Sequence, residues 1–268
     1  MNTDSKINQL ADILSSMKQV TVAVSGGVDS MTLAYFAHQV LGTNAMMVHA
    51  ISPAVPPTDS QRVSEYAHEQ GWHYRTVEAG EIAREEYLNN PVNRCYFCKS
   101  CLYSTLASLG SGQLISGTNM DDLGDYRPGL IAAKEHHVRH PYVEADINKA
   151  TVRAIAKNLG LDSLAMLPAS PCLASRVETG TVINPAQLTL INHIELMVRQ
   201  KIDTDNIRCR LSSHCLEIQL DQSTLSRLSE EQKEILRTAA RLMASVAGLQ
   251  FPITIAPYRR GSAFLRNS

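Results

Sequence analysis

The stretch Thr21-Val22-Ala23-Val24-Ser25-Gly26-Gly27-Val28-Asp29-Ser30 decides how this chain is read. An apolar β-branched run, Val20 to Val24, meets Ser25-Gly26-Gly27-Val28-Asp29-Ser30, and a helical pattern follows at once with Met31, Leu33, Ala34, Tyr35, Phe36 and Ala37. The pattern predicts a buried strand, a tight turn and a helix. Gly26 and Gly27 permit a sharp turn and leave room for a bulky anion. Amides at the helix start, the helix dipole and the hydroxyls of Ser25 and Ser30 are then placed to grip phosphate. The string is not a Walker A loop, because the lysine of GxxxxGK[ST] is missing. A Gly-rich turn without a ligand is the plain alternative.

With 268 residues the chain is long enough for one large domain or two smaller ones. Its composition, 44% hydrophobic and 19% charged, is that of a soluble globular protein. No apolar run approaches the roughly 20 residues of a membrane span. The first twenty residues form an amphipathic helix candidate without the apolar core of a signal peptide. A cytoplasmic location, with no membrane partner, is the expectation. A formal net charge of −1 gives no global drive toward nucleic acid, although Arg208/Arg210 and Arg259/Arg260 are local basic pairs. Six cysteines in such a chain point to metal-binding, catalytic or inert thiols rather than disulfides.

The first half alternates strand and helix signals. Strands are expected at Val20–Val24, Ala45–Ile51, Tyr74–Val77 and Leu114–Ser116. Helices are expected near Asp29–Val40, Asp59–Glu69, Lys99–Ser108 and Lys149–Leu159. This predicts an α/β fold, a parallel sheet with helices on both faces. The Pro-rich loop Ser52–Pro57 follows the second strand, with Thr58 or Asp59 expected to cap the next helix. Ligands of open parallel sheets bind beyond the carboxyl ends of strands, so the loops after Val24, Ile51 and Ser116 should share one crevice. Beyond Gly180 the texture changes: a helix over Pro185–Lys201, strands at Ile207–Leu211 and Cys215–Leu220, a helix over Leu228–Leu249 and a strand at Ile253–Ala256. The expected organisation is an α/β domain over 1–180 and a smaller α+β domain over 181–268.

A second constellation is made of cysteines. Asn93-Arg94-Cys95-Tyr96-Phe97-Cys98-Lys99 holds a C-x2-C step, extended by Cys101, and Cys172 lies far off in Pro171-Cys172-Leu173-Ala174-Ser175-Arg176. The step alone fits half a zinc site, a redox dithiol or part of an iron–sulfur site. No separate second C-x2-C completes a four-cysteine zinc site, and no strand precedes the step as a thioredoxin-like motif requires. Two cysteines plus a distant third would leave one iron of a [4Fe-4S] cluster without a protein thiolate, open to substrate or sulfide. Packing on a helix face is the ordinary reading of Cys98 and Cys101, and burial that of Cys209 and Cys215. His136, His137 and His140 lack a firm metal spacing and read as surface or packing residues.

SGGxDS resembles the pyrophosphate-binding loop of the PP-loop ATP pyrophosphatases, which cleave ATP to AMP and pyrophosphate and place AMP on an acceptor oxygen. Four strings together, SGGVDS at 25–30, NRCYFCK at 93–99, SGTNMDDLGDYRPGL at 116–130 and PCLASR at 171–176, resemble the LarE family of PP-loop sulfur transferases. The resemblance covers roughly residues 15 to 185. It implies that an acceptor carboxylate is adenylated and that sulfur then displaces AMP. Some members sacrifice the sulfur of one cysteine in the position of Cys172. Others have three cysteines, matching Cys95, Cys98 and Cys172, that hold a [4Fe-4S] cluster, and this chain matches that pattern. The resemblance also implies ATP and Mg²⁺ as partners of the loop, a small-molecule acceptor, sulfide or another sulfur donor, and a homo-oligomer.

The implied roles suit the residue types. Asp29 and Asp122 can hold Mg²⁺, which prefers carboxylates with phosphate oxygens. Lys99, Arg127 and Arg176 can neutralise charge growing on pyrophosphate or the acyl phosphate, with Arg176 expected near both sulfur and ATP. Gly117-Thr118-Asn119 resembles the family's third nucleotide loop, where close approach to AMP would explain Gly117. The ordinary alternatives are a helix N-cap for Asp122 and solvated surface for either arginine. The chain departs from the family after Arg208 and Arg210, where Leu211-Ser212-Ser213-His214-Cys215 replaces a histidine-glycine-aspartate turn, and again near Pro257–Ser262. The acceptor therefore stays open, and thiolation of a purine nucleobase or nucleotide is an alternative. A PP-loop amide synthetase would share SGGVDS without needing the cysteines. A tRNA thiolase would need an RNA-binding surface, and a nucleotide-sensing module would leave the cysteines unexplained.

Overall fold

The computed structural model describes residues 3–110, 112–124, 127–204, 206–259, 261 and 263. Asp125 and Tyr126 of the 116–130 string, and Arg260 and Ser262 near the C-terminus, lie outside the described residues. In chain order the elements are α1 (Thr3–Met17), β1 (Val20–Val24), α2 (Val28–Leu41), β2 (Ala45–Ile51), α3 (Pro57–Glu69), β3 (His73–Glu78), α4 (Glu85–Leu88), α5 (Arg94–Ser108), β4 (Gln113–Ser116), α6 (Pro128–Glu135), α7 (Pro141–Glu144), α8 (Lys149–Asn158), α9 (Asp162–Ala165), α10 (Pro185–Lys201), β5 (Ile207–Leu211), β6 (Leu216–Leu220), α11 (Gln222–Arg227), α12 (Glu230–Val246) and β7 (Ile253–Pro257). They form two compact units, Met1–Glu81 with Asn93–Ser170, and Ile82–Val92 with Pro171–Ser268.

The first unit is built on a four-stranded, all-parallel sheet of order β3-β2-β1-β4. Successive side chains of a strand point to opposite faces, and the packing follows that alternation. Val20, Val22, Val24 and Met47 join one core with Leu10, Leu14, Met31, Leu33, Val63, Val152 and Ile155, from α1, α2, α3 and α8. Met46 and Val48 face the other way and join Leu102, Tyr103, Leu106, Ala132 and Ala133, from α5 and α6. Both faces of β1 and β2 are thus buried, as their near-continuous apolar runs require. The α/β fold expected from the strand–helix alternation is the fold observed.

The cap expected at Thr58 or Asp59 is not there. Pro57 takes the first helical position of α3 with Pro56 as the capping residue, and no side chain bonds the helix start. Proline at that position loses nothing, since its missing N–H would have had no partner in the helix. Asp59 is freed for contacts beside the first-strand loop.

The second unit holds a three-stranded sheet, β5-β6-β7, antiparallel between β5 and β6 and parallel between β6 and β7. α10 packs on β5, and its buried Leu188, Ile191, Ile194 and Val198 supply the apolar stripe. The helix expected over Leu228–Leu249 is α12, started at Glu230 by a reciprocal capping box of Ser229 and Gln232, and the short α11 before it lies outside the expected helices. Segment 82–92 joins this unit through Asn90, a fully buried left-handed residue (φ 51°) whose amide donates to the carbonyls of Glu178 (2.8 Å) and Thr181 (3.0 Å). Among the described residues no helix is long and apolar enough to cross a membrane.

Candidate functional site

The carboxyl end of β1 runs into the Ser25–Ser30 loop. Gly26 is left-handed (φ 85°), and a side chain there would meet Cβ and the carbonyl oxygen of Asp59 at 2.8 Å. The turn is closed by Ser30, whose hydroxyl donates to Gly27 O (3.1 Å), accepts from the Ser25 amide (3.0 Å) and lies 3.0 Å from the Ser25 hydroxyl. Gly27 caps α2 without any side-chain bond to the helix start. The positive end of a fourteen-residue helix therefore carries first-turn amides that no capping side chain satisfies, the arrangement suited to an anion.

Loops after β2 and β4 meet this one. Arg62 donates to Gly26 O (2.8 Å) and pairs with Asp59 (2.7 Å), whose other oxygen accepts from Ser170 (2.9 Å). His49, fully buried near the end of β2, lies 2.9 Å from Val24 O through Nδ1 and 2.8 Å from the Ser60 hydroxyl through Nε2. From β4, Gly117 lies against the loop so closely that a Cβ would sit 2.8 Å from Ser30 N and 2.9 Å from the Asp29 carbonyl carbon. The glycine is explained by this backbone contact within the protein.

Asn119 links the two acidic candidates. Its side-chain amide donates to Asp29 Oδ1 (3.2 Å), and its backbone amide donates to Asp122 Oδ2 (3.1 Å). Asp122 lies inside the 3-10 turn Met120–Gly124 and also pairs with Arg127 (2.8 Å). Asp29 Oδ2 accepts from Lys149. Ser25, Gly26, Gly27, Asp29, Ser30, Gly117, Asp122 and Arg127 are thus joined through direct contacts of the three loops. Asn119, part of the Gly117-Thr118-Asn119 loop, and Lys149, not among the residues singled out from the sequence, belong with them. Lys149 had a signal: it is the first residue of α8, behind the Asn148 cap, where the helix dipole disfavours a cation. His140, read from the sequence as a surface or packing residue, is partly buried: its Nδ1 lies 2.9 Å from the Ser116 hydroxyl, and burial depresses its pKa against the opposing pull of Glu144 and Asp122.

The cysteine step opens α5. Cys95 is exposed and Cys98 partly exposed, and their spacing of three places both on one helix face. Lys99 lies over the Tyr103 ring (5.7 Å), and its stem packs on Gly129 of α6, where a Cβ would meet Lys99 Cγ at 3.0 Å. These residues lie in the first unit, while Cys172 and Arg176 lie in the second. Among the described residues, no three His, Cys, Asp or Glu side chains are grouped so as to hold a metal ion.

Within the second unit Cys172 is exposed and precedes the 3-10 turn Leu173–Arg176. The Arg176 guanidinium is engaged inside that unit. It makes a two-pronged pair with Glu195 (Nε to Oε1 and Nη2 to Oε2, both 3.0 Å), each side chain only 3% exposed. Its Nη1 donates to Pro171 O and to Cys172 O (3.1 Å). Arg176 in this arrangement holds the backbone that presents Cys172. Glu195 also accepts from the Cys209 amide (2.9 Å), and Arg210 donates to Ser175 O (2.7 Å). Burial and the Arg176 charge both lower the pKa of Arg208 and of Arg210. Cys209 is buried, and its thiol is pushed well above the ordinary value by burial and by Glu195. Cys215, expected to be buried in a strand, lies just before β6 and is half-buried.

Two outcomes follow from this geometry. Gly117→Ala should destabilise the fold by about 1–3 kcal/mol, because the added methyl meets backbone that cannot swing aside. Denaturant unfolding measures it, and a change below about 0.5 kcal/mol would mean that the close approach is relaxed in solution. Arg176→Met should cost about 3–5 kcal/mol by leaving the Glu195 carboxylate buried without its partner. Adding Glu195→Gln to Arg176→Met should recover much of that loss in the same experiment; no recovery would contradict the pairing.

No protein-family model matches the chain. It is 36% identical over 232 residues to an uncharacterized protein of Synechocystis sp., covering 85% of this chain and 86% of the relative. It is 30% identical over 221 residues to the pyridinium-3,5-bisthiocarboxylic acid mononucleotide synthase of Lactiplantibacillus plantarum, covering 81% and 79% of the two chains. One of the subunits of the glutamine-hydrolyzing GMP synthase of Thermoplasma acidophilum is 26% identical over 227 residues, covering 76% of this chain and 71% of that subunit. The parallel sheet, the SGGVDS loop on its central strand and these relatives agree: the chain belongs to the PP-loop family and is a LarE-like member of it.

Proposed function

We propose that this protein is an ATP-dependent sulfur transferase that adenylates an oxygen of a small-molecule acceptor and replaces it with sulfur. The observation that carries the reading is the joining of Ser25–Ser30, Asn119, Asp122, Arg127 and Lys149 around one helix start. Amides of the α2 start and the Ser25 and Ser30 hydroxyls would bind the β- and γ-phosphates of ATP. Asp29 and Asp122, tied together through Asn119, would take up Mg²⁺ with phosphate oxygens, and Lys149 would turn from Asp29 to the phosphates. An acceptor oxygen then attacks the α-phosphorus, the bond to pyrophosphate breaks, and Lys149 and Arg127 offset the charge that the leaving pyrophosphate gathers. Attack by sulfide on the activated carbon expels AMP and leaves the thiolated product.

The thiol set supports a sulfur chemistry over an amide synthesis. Cys95 and Cys98 present two accessible thiols on one turn of α5, and Cys172 is held on an arginine-supported loop. Thiolate donors suit an iron–sulfur centre. We assign Cys95, Cys98 and Cys172 as the residues that would hold a [4Fe-4S] cluster, whose fourth iron would supply a site for an extra sulfide. Lys99, on the same helix, would offset charge beside it. The name of the Lactiplantibacillus plantarum relative denotes a thiocarboxylate product, which makes a carboxylate the first acceptor to try. In this reading residues 1–180 carry the ATP chemistry, and residues 181–268 carry acceptor recognition through Arg208 and Arg259.

Anaerobic preparation with iron and sulfide analysis tests the assignment. The wild-type protein should carry about four irons per chain, and Cys95→Ala should lose both iron and thiolation while still releasing pyrophosphate. Wild-type thiolation confined to a single turnover, with loss of the Cys172 sulfur and tolerance of Cys95→Ala, would instead make Cys172 the sacrificial donor. Pyrophosphate release without any thiolated product across carboxylate and purine acceptors would overturn the sulfur-transfer reading.

A further inference from the structure

The start of α3 holds the exit of β1 at three points. Ser60 lies 2.8 Å from the buried His49, whose other ring nitrogen lies 2.9 Å from Val24 O. That oxygen can only accept, so His49 Nδ1 carries the proton and Nε2 accepts from the Ser60 hydroxyl. The backbone of Asp59 lies directly on Gly26, and Arg62 donates to Gly26 O (2.8 Å). These contacts on Val24 and Gly26 join the helix start and the Ser25–Ser30 loop into one piece. Asp59 is only 4% exposed, and its two oxygens point to different partners. Oδ1 accepts from Arg62 (2.7 Å), and Oδ2 accepts from the hydroxyl of Ser170 (2.9 Å), 111 residues further on. A carboxylate so withdrawn from water depends on both.

Ser170 stands in the exposed, irregular stretch 168–172, where Pro168 and Pro171 have no N–H to donate. It is the last residue of the first unit, and Cys172 follows two residues later. The next two carbonyls, of Pro171 and Cys172, are taken by Arg176. We propose that Asp59 is a positioning residue that ties the root of the Cys172 segment to the nucleotide loop. The proposal rests on the sulfur transfer proposed above. Whether Cys172 helps to hold a cluster or gives up its own sulfur, its reach is set from Ser170. With a slack root the adenylate waits, and water attacks its activated carbon in place of sulfur. AMP then leaves with the acceptor unchanged, and the net reaction is hydrolysis of ATP to AMP and pyrophosphate.

Product accounting on the full chain, prepared anaerobically and supplied with sulfide, ATP, Mg²⁺ and a carboxylate acceptor, tests this. Ser170→Ala removes one donor to Asp59 by a change at an exposed residue. It should lower thiolated product per pyrophosphate about fivefold or more, the scale of one charge-assisted hydrogen bond. Ser170→Thr, which keeps the hydroxyl, should stay within about twofold of the wild type. An unchanged ratio in Ser170→Ala overturns the proposal. Hydrogen exchange read by mass spectrometry adds a measurement that needs no turnover. Mg²⁺ and ATP should slow exchange of the wild-type protein in peptides covering 25–33 and 169–175. In Ser170→Ala the slowing should persist at 25–33 and be lost at 169–175. No slowing at 169–175 in the wild type, or equal slowing in the variant, overturns the tie. A wild-type protein that shows the slowing, and loses it in Ser170→Ala, yet forms no thiolated product supports the tie and contradicts the sulfur-transfer reading.

Discussion

The contact of Gly117 with the backbone of Asp29 and Ser30 is the constraint on which the candidate site depends. Without a side chain at 117, the loop after β4 lies directly on the start of α2. That approach lets Asn119 reach Asp29 with its side chain and Asp122 with its backbone amide. It also fixes which end of the sheet can be functional, since β1 and β4 are parallel neighbours with carboxyl ends on the same side. On the other flank of β1, Gly26 plays the matching part by admitting Asp59 to the turn. Both glycines allow close approach of protein to protein, and the ordering of the Ser25–Ser30 loop follows from it.

Around that backbone frame the charges are arranged in pairs that a phosphate-bearing ligand would rearrange. Asp29 is held by Lys149 and Asn119, and Asp122 by Arg127 and the Asn119 amide. In the reaction proposed above, magnesium and triphosphate would supply the opposite partners for each member, the metal taking the carboxylates and the phosphates the cations. Buried ionic groups of the second unit are used differently. Arg176 and Glu195 are both almost wholly withdrawn from solvent, and the pair sets the path of the backbone around Cys172. A buried pair of this kind contributes mainly to fixing one arrangement, since its desolvation offsets most of its attraction.

Much of the fold was legible in the sequence because its signals are local. Val20–Val24 and Ala45–Ile51 are near-continuous apolar runs, and both strands fall at those residues. The glycine-rich turn and the helix after it were equally plain. The capping of α3 differs from expectation because Pro56 and Pro57 compete with Thr58 and Asp59 for the helix start, and the proline geometry prevails. The short helix α11 is hidden because Gln222–Arg227 is polar but for Leu225, and only the Asp221 side chain that caps it marks its start. Side-chain destinations were less legible still. Nothing around Arg176 in the sequence announces Glu195, nineteen residues on, and nothing around Asp29 announces Lys149. Asn90 shows the same limit at the level of whole segments, since its partners Glu178 and Thr181 lie 88 and 91 residues away.

In the proposed reaction the Ser25–Ser30 loop, with Asp29 at its centre, handles the pyrophosphate portion of ATP as the bond between the α- and β-phosphates is cleaved. Phosphorus NMR of the full-length protein with ATP, Mg²⁺ and a pyridinium or purine acceptor reads the cleavage position directly. AMP and pyrophosphate should form in equal amounts, dependent on acceptor, and be lost in a folded Asp29→Ala variant. Formation of ADP and inorganic phosphate, or unchanged pyrophosphate release by Asp29→Ala, would contradict it.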